Sequence, residues 1–317
     1  MTVKTLVTSV TALLALGGFS AVSAADNSAT TTAVAASSQP AGINDTYPGL
    51  ASGGLTFAQL ADLPQGTVLK ASELTIAEKD IVDQIANAPK EVQDQLGKNA
   101  FFVLEQIATR ALLLKEAKAG TGGAVANADE RALIQDYLGK LADKVTVGDE
   151  EIAAFYSSNK DAVGGAELDK VKPQIAAYLR QQKQQELVDQ RIRTLGQRTT
   201  VEVSAAWVKR QAEPARDNPV DKARSSGKPT FANFGAKGCI PCDKMEPIRE
   251  AIRRKYEGKL NVVFIHVGNE QILASRYGVQ AIPLLVFFDA EGKEVFRHMG
   301  FFPQEKIEAK LAEMGVK

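Results

Sequence analysis

The chain has 317 residues, with 38 Lys+Arg against 38 Asp+Glu, 44% apolar and 24% charged, an ordinary soluble composition long enough for about two domains. The balanced charge gives no footing for nucleic acid, and no nucleic-acid partner is expected. With only two Cys and two His, a disulfide scaffold is excluded and a four-ligand zinc site would consume all of them, so neither a metal site nor a cofactor is expected.

In chain order, residues 1–24 read as a secretory signal peptide. Lys4 is a thin positive n-region, Leu6 to Leu16 an apolar core, and Val22-Ser23-Ala24 a small-residue cleavage site. Gly17 and Gly18 interrupt the apolar run well short of the roughly 20 residues a membrane span requires. Export is therefore expected, to a compartment where disulfides persist. Residues 25–54, rich in Ala, Ser, Thr and Gly and without Lys or Arg, read as a disordered tether.

Order is expected from near Leu55, and residues 55–210 read as a helical domain. Thr75 to Glu78 has capping-box spacing ahead of a stripe of Ile81, Val82 and Ile85. Asn99 to Ala119 is the strongest helix, with Phe102, Val103, Ile107, Ala111 and Leu114 at three- and four-residue steps and Gly120 ending it. Gly120 to Ala126 reads as a loop. Helical patterns resume at 128–144, 149–157 and 168–195, and Thr199 to Val203 alternates like a short strand. Gln211 to Pro229, with Pro214, Pro219, Gly227 and Pro229, reads as the domain boundary, so that 211–317 is a linker plus a second domain.

Leu74 to Val82, Leu104 to Ala117, Val145 to Tyr156, and Val171 to Gln184 with the strand at Thr200 to Val203 occur in the order seen in the chaperone domain of exported foldases of the SurA and PrsA type, which residues 74–204 resemble. In those foldases a parvulin prolyl isomerase lies between the segments that end at Tyr156 and begin at Val171 here. Only fourteen residues, Ser157 to Lys170, separate them in this chain, too few for a domain of at least roughly 50 residues. The resemblance implies an all-α cradle for unfolded clients, without prolyl isomerase activity. A helical spacer or dimerisation arm is the competing reading.

The chemistry is concentrated further on. Thr230 to Phe234 reads as a strand running into Gly238-Cys239-Ile240-Pro241-Cys242 and then a helix through Tyr256. A thiol at the start of a helix faces unpaired N–H groups that favour the thiolate, which makes Cys239 the nucleophile. Cys242, one turn further in, is placed to attack the mixed disulfide that Cys239 forms with a client. Closing so small a loop adds little stability, which argues against a passive structural bridge. Strands at 260–267, 284–289 and 294–299 and helices at 271–277 and 303–314 complete a βαβ then ββα order, hence a mixed sheet flanked by helices.

Cys239-Ile240-Pro241-Cys242, Pro247, Ala281-Ile282-Pro283, Phe287-Phe288-Asp289 and Gly300 make the last hundred residues resemble thioredoxin. The fold class expected is thus an all-α chaperone domain followed by an α/β thioredoxin fold. The resemblance implies that Pro283 is the cis-proline beside the cysteines and that Ile282 offers its backbone to a docked client. Three departures stand out. Gly238 replaces the usual Trp, which exposes the nucleophile. Asn233 replaces the buried Asp, so Cys242 must lose its proton to water or another group. His266 is a candidate proton relay, with a core histidine bonded to backbone as the alternative; His298 reads as surface. The Ile240-Pro241 dipeptide carries no charge, which favours a modest potential and a reductase or isomerase direction.

The function expected is a periplasmic thiol–disulfide oxidoreductase. Its partners would be client proteins with cysteines or unfolded segments, and a membrane or periplasmic redox partner that resets the pair. The alternative is a chaperone or assembly factor whose CxxC is non-catalytic or binds a metal.

Overall fold

A computed structural model describes residues 41–120, 129–158, 160 and 165–317. The expected signal peptide, most of the expected tether and the glycine-rich loop after Gly120 lie outside them. The first half of the chain contains α1 (Ile43–Thr46), β1 (Gln59–Ala61), β2 (Thr67–Ala71), β3 (Leu74–Ala77), α2 (Glu78–Ala86), α3 (Lys90–Lys98), α4 (Ala100–Gly120), α5 (Glu130–Ala142), α6 (Asp149–Ser158), α7 (Leu168–Arg198), β4 (Glu202–Ser204) and α8 (Ala205–Arg216). The second contains α9 (Pro219–Arg224), β5 (Thr230–Gly235), α10 (Ile240–Lys255), β6 (Asn261–His266), α11 (Gln271–Arg276), β7 (Leu284–Phe288), β8 (Glu294–Met299) and α12 (Gln304–Glu313).

Three expectations are corrected. The first half is not all-α: β1, β4, β2 and β3 form a four-stranded sheet in that order, with β1 parallel to β4 and the other pairs antiparallel. Residues 41–54 are not a tether. Ile43 and Leu50 are buried in the same core as Leu55, Phe101 and Trp207, and Gly42 bridges to Gln59. Residues 211–229 are not a loose linker, because α8 runs through position 210. It is capped by Ser204, which accepts the Trp207 N–H. After it Asn218 caps α9 by accepting the N–H groups of Val220 and Asp221, with Pro219 at the first helical position.

The helix cap near Thr75 also shifts. Thr75 is in β3, and Asp80 accepts the Ala77 N–H to start α2 two residues later. The long helix α4 buries Ala100 to Glu105 without interruption, as a helix at the centre of a core should. α5 and α7 pack on its second half around Leu112, Leu113, Ile134, Ile192 and Leu195.

In the second half the sheet order is β6-β5-β7-β8, with β5 parallel to β6 and antiparallel to β7. Alternation along β5 and β7 sends Phe231, Leu285 and Phe287 toward α10 and α12, and Ala232, Phe234, Leu284, Val286 and Phe288 toward α9 and α11. The expected strands and helices of this half are all present, in the expected order.

The halves are joined by α11. Ile272 belongs to the first half's core, and the Gln95 side chain donates to Asn269 O and accepts the Ile272 N–H. Arg276, also on α11, donates to Asn99 Oδ1 (3.1 Å), Ala215 O (2.6 Å) and Asp221 Oδ2 (3.2 Å).

Candidate functional site

β5 ends at Gly235 and the chain turns through Lys237 and Gly238 into α10, whose N-cap residue is Cys239. Gly238 has φ +77 and is exposed. Its backbone lies in the left-handed region, where a side chain is strained, so the glycine is fixed by the turn as well as by the open approach to the thiol. Cys239 is partly exposed and Ile240 is 72% exposed, whereas Cys242 is buried. The two cysteines form a disulfide with Cα atoms 5.2 Å apart.

The Ile282-Pro283 bond is cis. The Ile282 carbonyl oxygen lies 3.9 Å from Cys239 Sγ, so the two segments singled out in the sequence meet at the head of α10. Pro283 is buried and leads directly into β7, while Gly300, at the end of β8, donates its N–H to Pro283 O. The rim therefore combines an accessible sulfur, an exposed aliphatic side chain and the Ile282 backbone ahead of β7.

His266, at the end of β6, accepts the Lys237 N–H at its Nε2 (3.4 Å), and its Nδ1 is buried without a partner. It thus sits against the loop leading to Cys239. His298 is half-buried rather than free on the surface: it stacks on Phe302 at 4.2 Å between centroids, and its Nε2 lies 3.3 Å from Phe301 O. Burial pushes its pKa below the usual 6.5. Among the described residues, no three His, Cys, Asp or Glu side chains are grouped to hold a metal ion.

Beneath the cysteines lies a residue the sequence reading passed over. Arg249 is 7% exposed. Its Nη1 donates to Asn233 Oδ1 (3.1 Å), and its guanidinium lies over the Phe264 ring at 4.2 Å. The signal was available: Cys242, Met245, Arg249 and Ile252 are the buried residues of α10, three and four apart, so an arginine stands on the apolar stripe. A separate cavity of about 670 Å³ lies between α4, α7 and the β7–β8 hairpin, lined by Glu105, Asp189, Arg193 and Arg297 among others, and none of the CxxC residues borders it.

A two-cysteine pair at the N-terminus of a sheet-flanking helix, faced by a cis-proline loop, defines a thiol–disulfide oxidoreductase of the thioredoxin fold. Residues 217–315 match the family model of the thioredoxin-like domain. The chain is 31% identical over 98 residues to a thioredoxin of Alicyclobacillus acidocaldarius subsp. acidocaldarius, covering 92% of that protein and 31% of itself. It therefore belongs to the thioredoxin family through its C-terminal third, and it is a thioredoxin-like disulfide oxidoreductase. It is also 37% identical over 92 residues to the chloroplastic thioredoxin-like protein HCF164 of Arabidopsis thaliana, and 28% identical over 106 residues to a thiol:disulfide interchange protein TxlA homolog of Synechocystis. The matches cover 28% and 33% of this chain, and 35% and 59% of those proteins.

Proposed function

We propose that the chain is an exported, periplasmic oxidoreductase that reduces or isomerises disulfides of client proteins, which its N-terminal unit holds close to Cys239. The observation that carries this reading is the meeting of Cys239 Sγ with the Ile282 carbonyl, at 3.9 Å. It puts the nucleophile next to a backbone edge on which an extended client segment can dock. In the reducing direction the Cys239 thiolate attacks one client sulfur, forming a mixed disulfide and releasing the other client sulfur as a thiolate. Cys242, once deprotonated, attacks Cys239 Sγ. The second client thiolate leaves, two electrons have passed to the client, and the protons of the two protein thiols end on the client thiols by way of solvent. A membrane or periplasmic dithiol partner then reduces the Cys239–Cys242 pair.

The resemblance of residues 74–204 to exported foldases supports the holding role, and holding a client would raise its effective concentration at Cys239. α6 packs along α7 with Phe155 against Tyr178, and only residues 159–167 connect these helices. That connection is too short for an isomerase domain, so prolyl isomerisation is not part of the proposal.

Insulin reduction driven by dithiothreitol tests the redox reading. Cys239→Ser should fall to the uncatalysed rate, and a variant that keeps the wild-type rate would refute the assignment. Suppression of client aggregation should survive the same substitution if the N-terminal unit holds clients by itself. Loss of suppression would show that holding depends on the thiol.

A further inference from the structure

The sequence places no charge between the cysteines, yet the structure supplies one from below. Cys242 and the Arg249 guanidinium are linked through Gly235 and the Phe264 ring. A Cβ built on Gly235 would stand 3.4 Å from Cys242 Cβ, 3.6 Å from Cys242 Sγ and 3.2 Å from the Phe264 ring. Gly235 thus allows β5 to press against the second cysteine. Phe264 is the ring that carries the Arg249 guanidinium, and Asn233, two residues before Gly235 on the same face of β5, accepts from it. Arginine side chains on a helix lean toward its N-terminus, which here is the cysteine end.

This guanidinium is not neutralised by a contacting carboxylate. Its hydrogen-bond partner is the neutral Asn233 amide, and Nε is buried without a hydrogen-bond partner among the described residues. Burial opposes its charge and lowers its pKa below the ordinary guanidinium value, with Glu246 and Glu250 acting in the opposite direction and Arg253 in the same one. An arginine nevertheless stays protonated at neutral pH. Around it, β5 contributes Asn233 and β6 contributes Phe264, with His266 placed against the Lys237 loop. A largely buried cation, facing an amide and a ring, favours the anionic form of ionisable groups around it, and Cys242 lies on that side through Gly235 and Phe264.

We propose that Arg249 is a positioning residue for the second half of the thiol–disulfide exchange, acting through Cys242 by stabilising its thiolate. The disulfide is uncharged and gains nothing from the guanidinium, whereas the Cys242 thiolate does. Wherever Cys242 is ionised, Arg249 therefore favours the reduced pair over the oxidised one, and by raising the thiolate fraction it hastens attack by Cys242 on the mixed disulfide. The proton lost by Cys242 goes through solvent to the departing client thiolate, so no protein base is required where Asn233 has replaced a carboxylate. The role in exchange rests on the redox reading above; the effect on Cys242 does not.

The test measures two quantities in the full chain. The first is the pH dependence of Cys242 alkylation in Cys239→Ser, with and without Arg249→Met. The second is the equilibrium of the Cys239–Cys242 pair with glutathione, in wild type and in Arg249→Met. Removing the charge is expected to raise the Cys242 pKa by about one unit and, at a pH above both values so found, to shift the glutathione equilibrium about tenfold toward the disulfide, with little shift well below them. Arg249→Gln keeps an amide to bond Asn233 and removes the same charge, so it decides the matter if the methionine variant does not fold. Unchanged pKa and equilibrium in a folded variant would overturn the role of Arg249 while leaving insulin reduction by the wild type intact. A wild type that fails to reduce insulin, with the Cys242 shift still present, would instead sink the redox reading alone.

Discussion

Glu105, on α4, is 2% exposed and accepts from Ser52 N–H, Ser52 Oγ, Gly53 N–H (2.7 Å) and Leu55 N–H. It fastens the segment that was expected to be a tether to the central helix. Even with these donors, burial wins, and its pKa rises above the ordinary 4.5. The folded state then binds this proton more readily than the unfolded chain does. The carboxyl's contribution to stability is therefore greatest at low pH and declines as pH rises from 4.5 through the raised value. Urea unfolding of wild type and Glu105→Gln across this range should show the wild type losing ground to the variant as pH rises. A difference that grows in favour of the wild type would contradict the assignment. At this scale the sequence showed its reactive residues and concealed its supporting ones. Cys239 and Cys242 were legible because their spacing is tied to the chemistry, and Ile282 and Pro283 through the resemblance to thioredoxin. Glu105 and Arg249 look like ordinary helix charges, and only tertiary packing turns them inward.

At the scale of elements, α7 meets the backbone at Gly54 through Gly196. A Cβ there would lie 2.0 Å from the Gly54 carbonyl oxygen, so helix and backbone touch with no room for a side chain. Gly196→Ala should destabilise the fold by about 3 kcal/mol, the upper range for overpacking, read from the shift of the denaturation midpoint at constant slope. A neutral result would mean that the two segments part easily. The long helices α4 and α7 were legible because their apolar positions repeat over several turns. β4 was read as the alternation at Thr199 to Val203, but its partner β1 was hidden, each strand being three residues long. They pair across a sequence separation of more than 140 residues, Gln59 with Glu202, and so short a segment shows little periodicity. The CxxC half was legible throughout, since each of its strands alternates or runs apolar and each is bounded by turn residues.

The whole molecule behaves as more than a thioredoxin domain with an appendage. Ile272 is buried in the first half's core, and Arg276, which donates across to Asn99 and Ala215, is held by an ion pair with Asp221 in which both side chains are buried and to which Tyr277 adds a hydrogen bond of 2.8 Å from its hydroxyl. Breaking such a pair leaves a buried charge unpaired at a cost of about 3 kcal/mol. Trp207, the chain's one tryptophan, reports on the first half, and alkylation of the reduced cysteines reports on the second. In wild type the two probes should follow one unfolding curve, and in Arg276→Ala the curves should separate or move together to lower denaturant. Separate transitions in the wild type would contradict a joined molecule. A joined molecule matters for function, because it fixes where the N-terminal unit stands relative to Cys239.

The most direct test of the central claim is covalent trapping. Reduced Cys242→Ser and Cys239→Ser are each mixed with an oxidised client, and adducts are counted by mass spectrometry. A client joined through Cys239 should accumulate in Cys242→Ser, where nothing resolves it, and should be absent from Cys239→Ser. Equal trapping by both variants, or none by either, would contradict an exposed nucleophile backed by a buried resolving thiol.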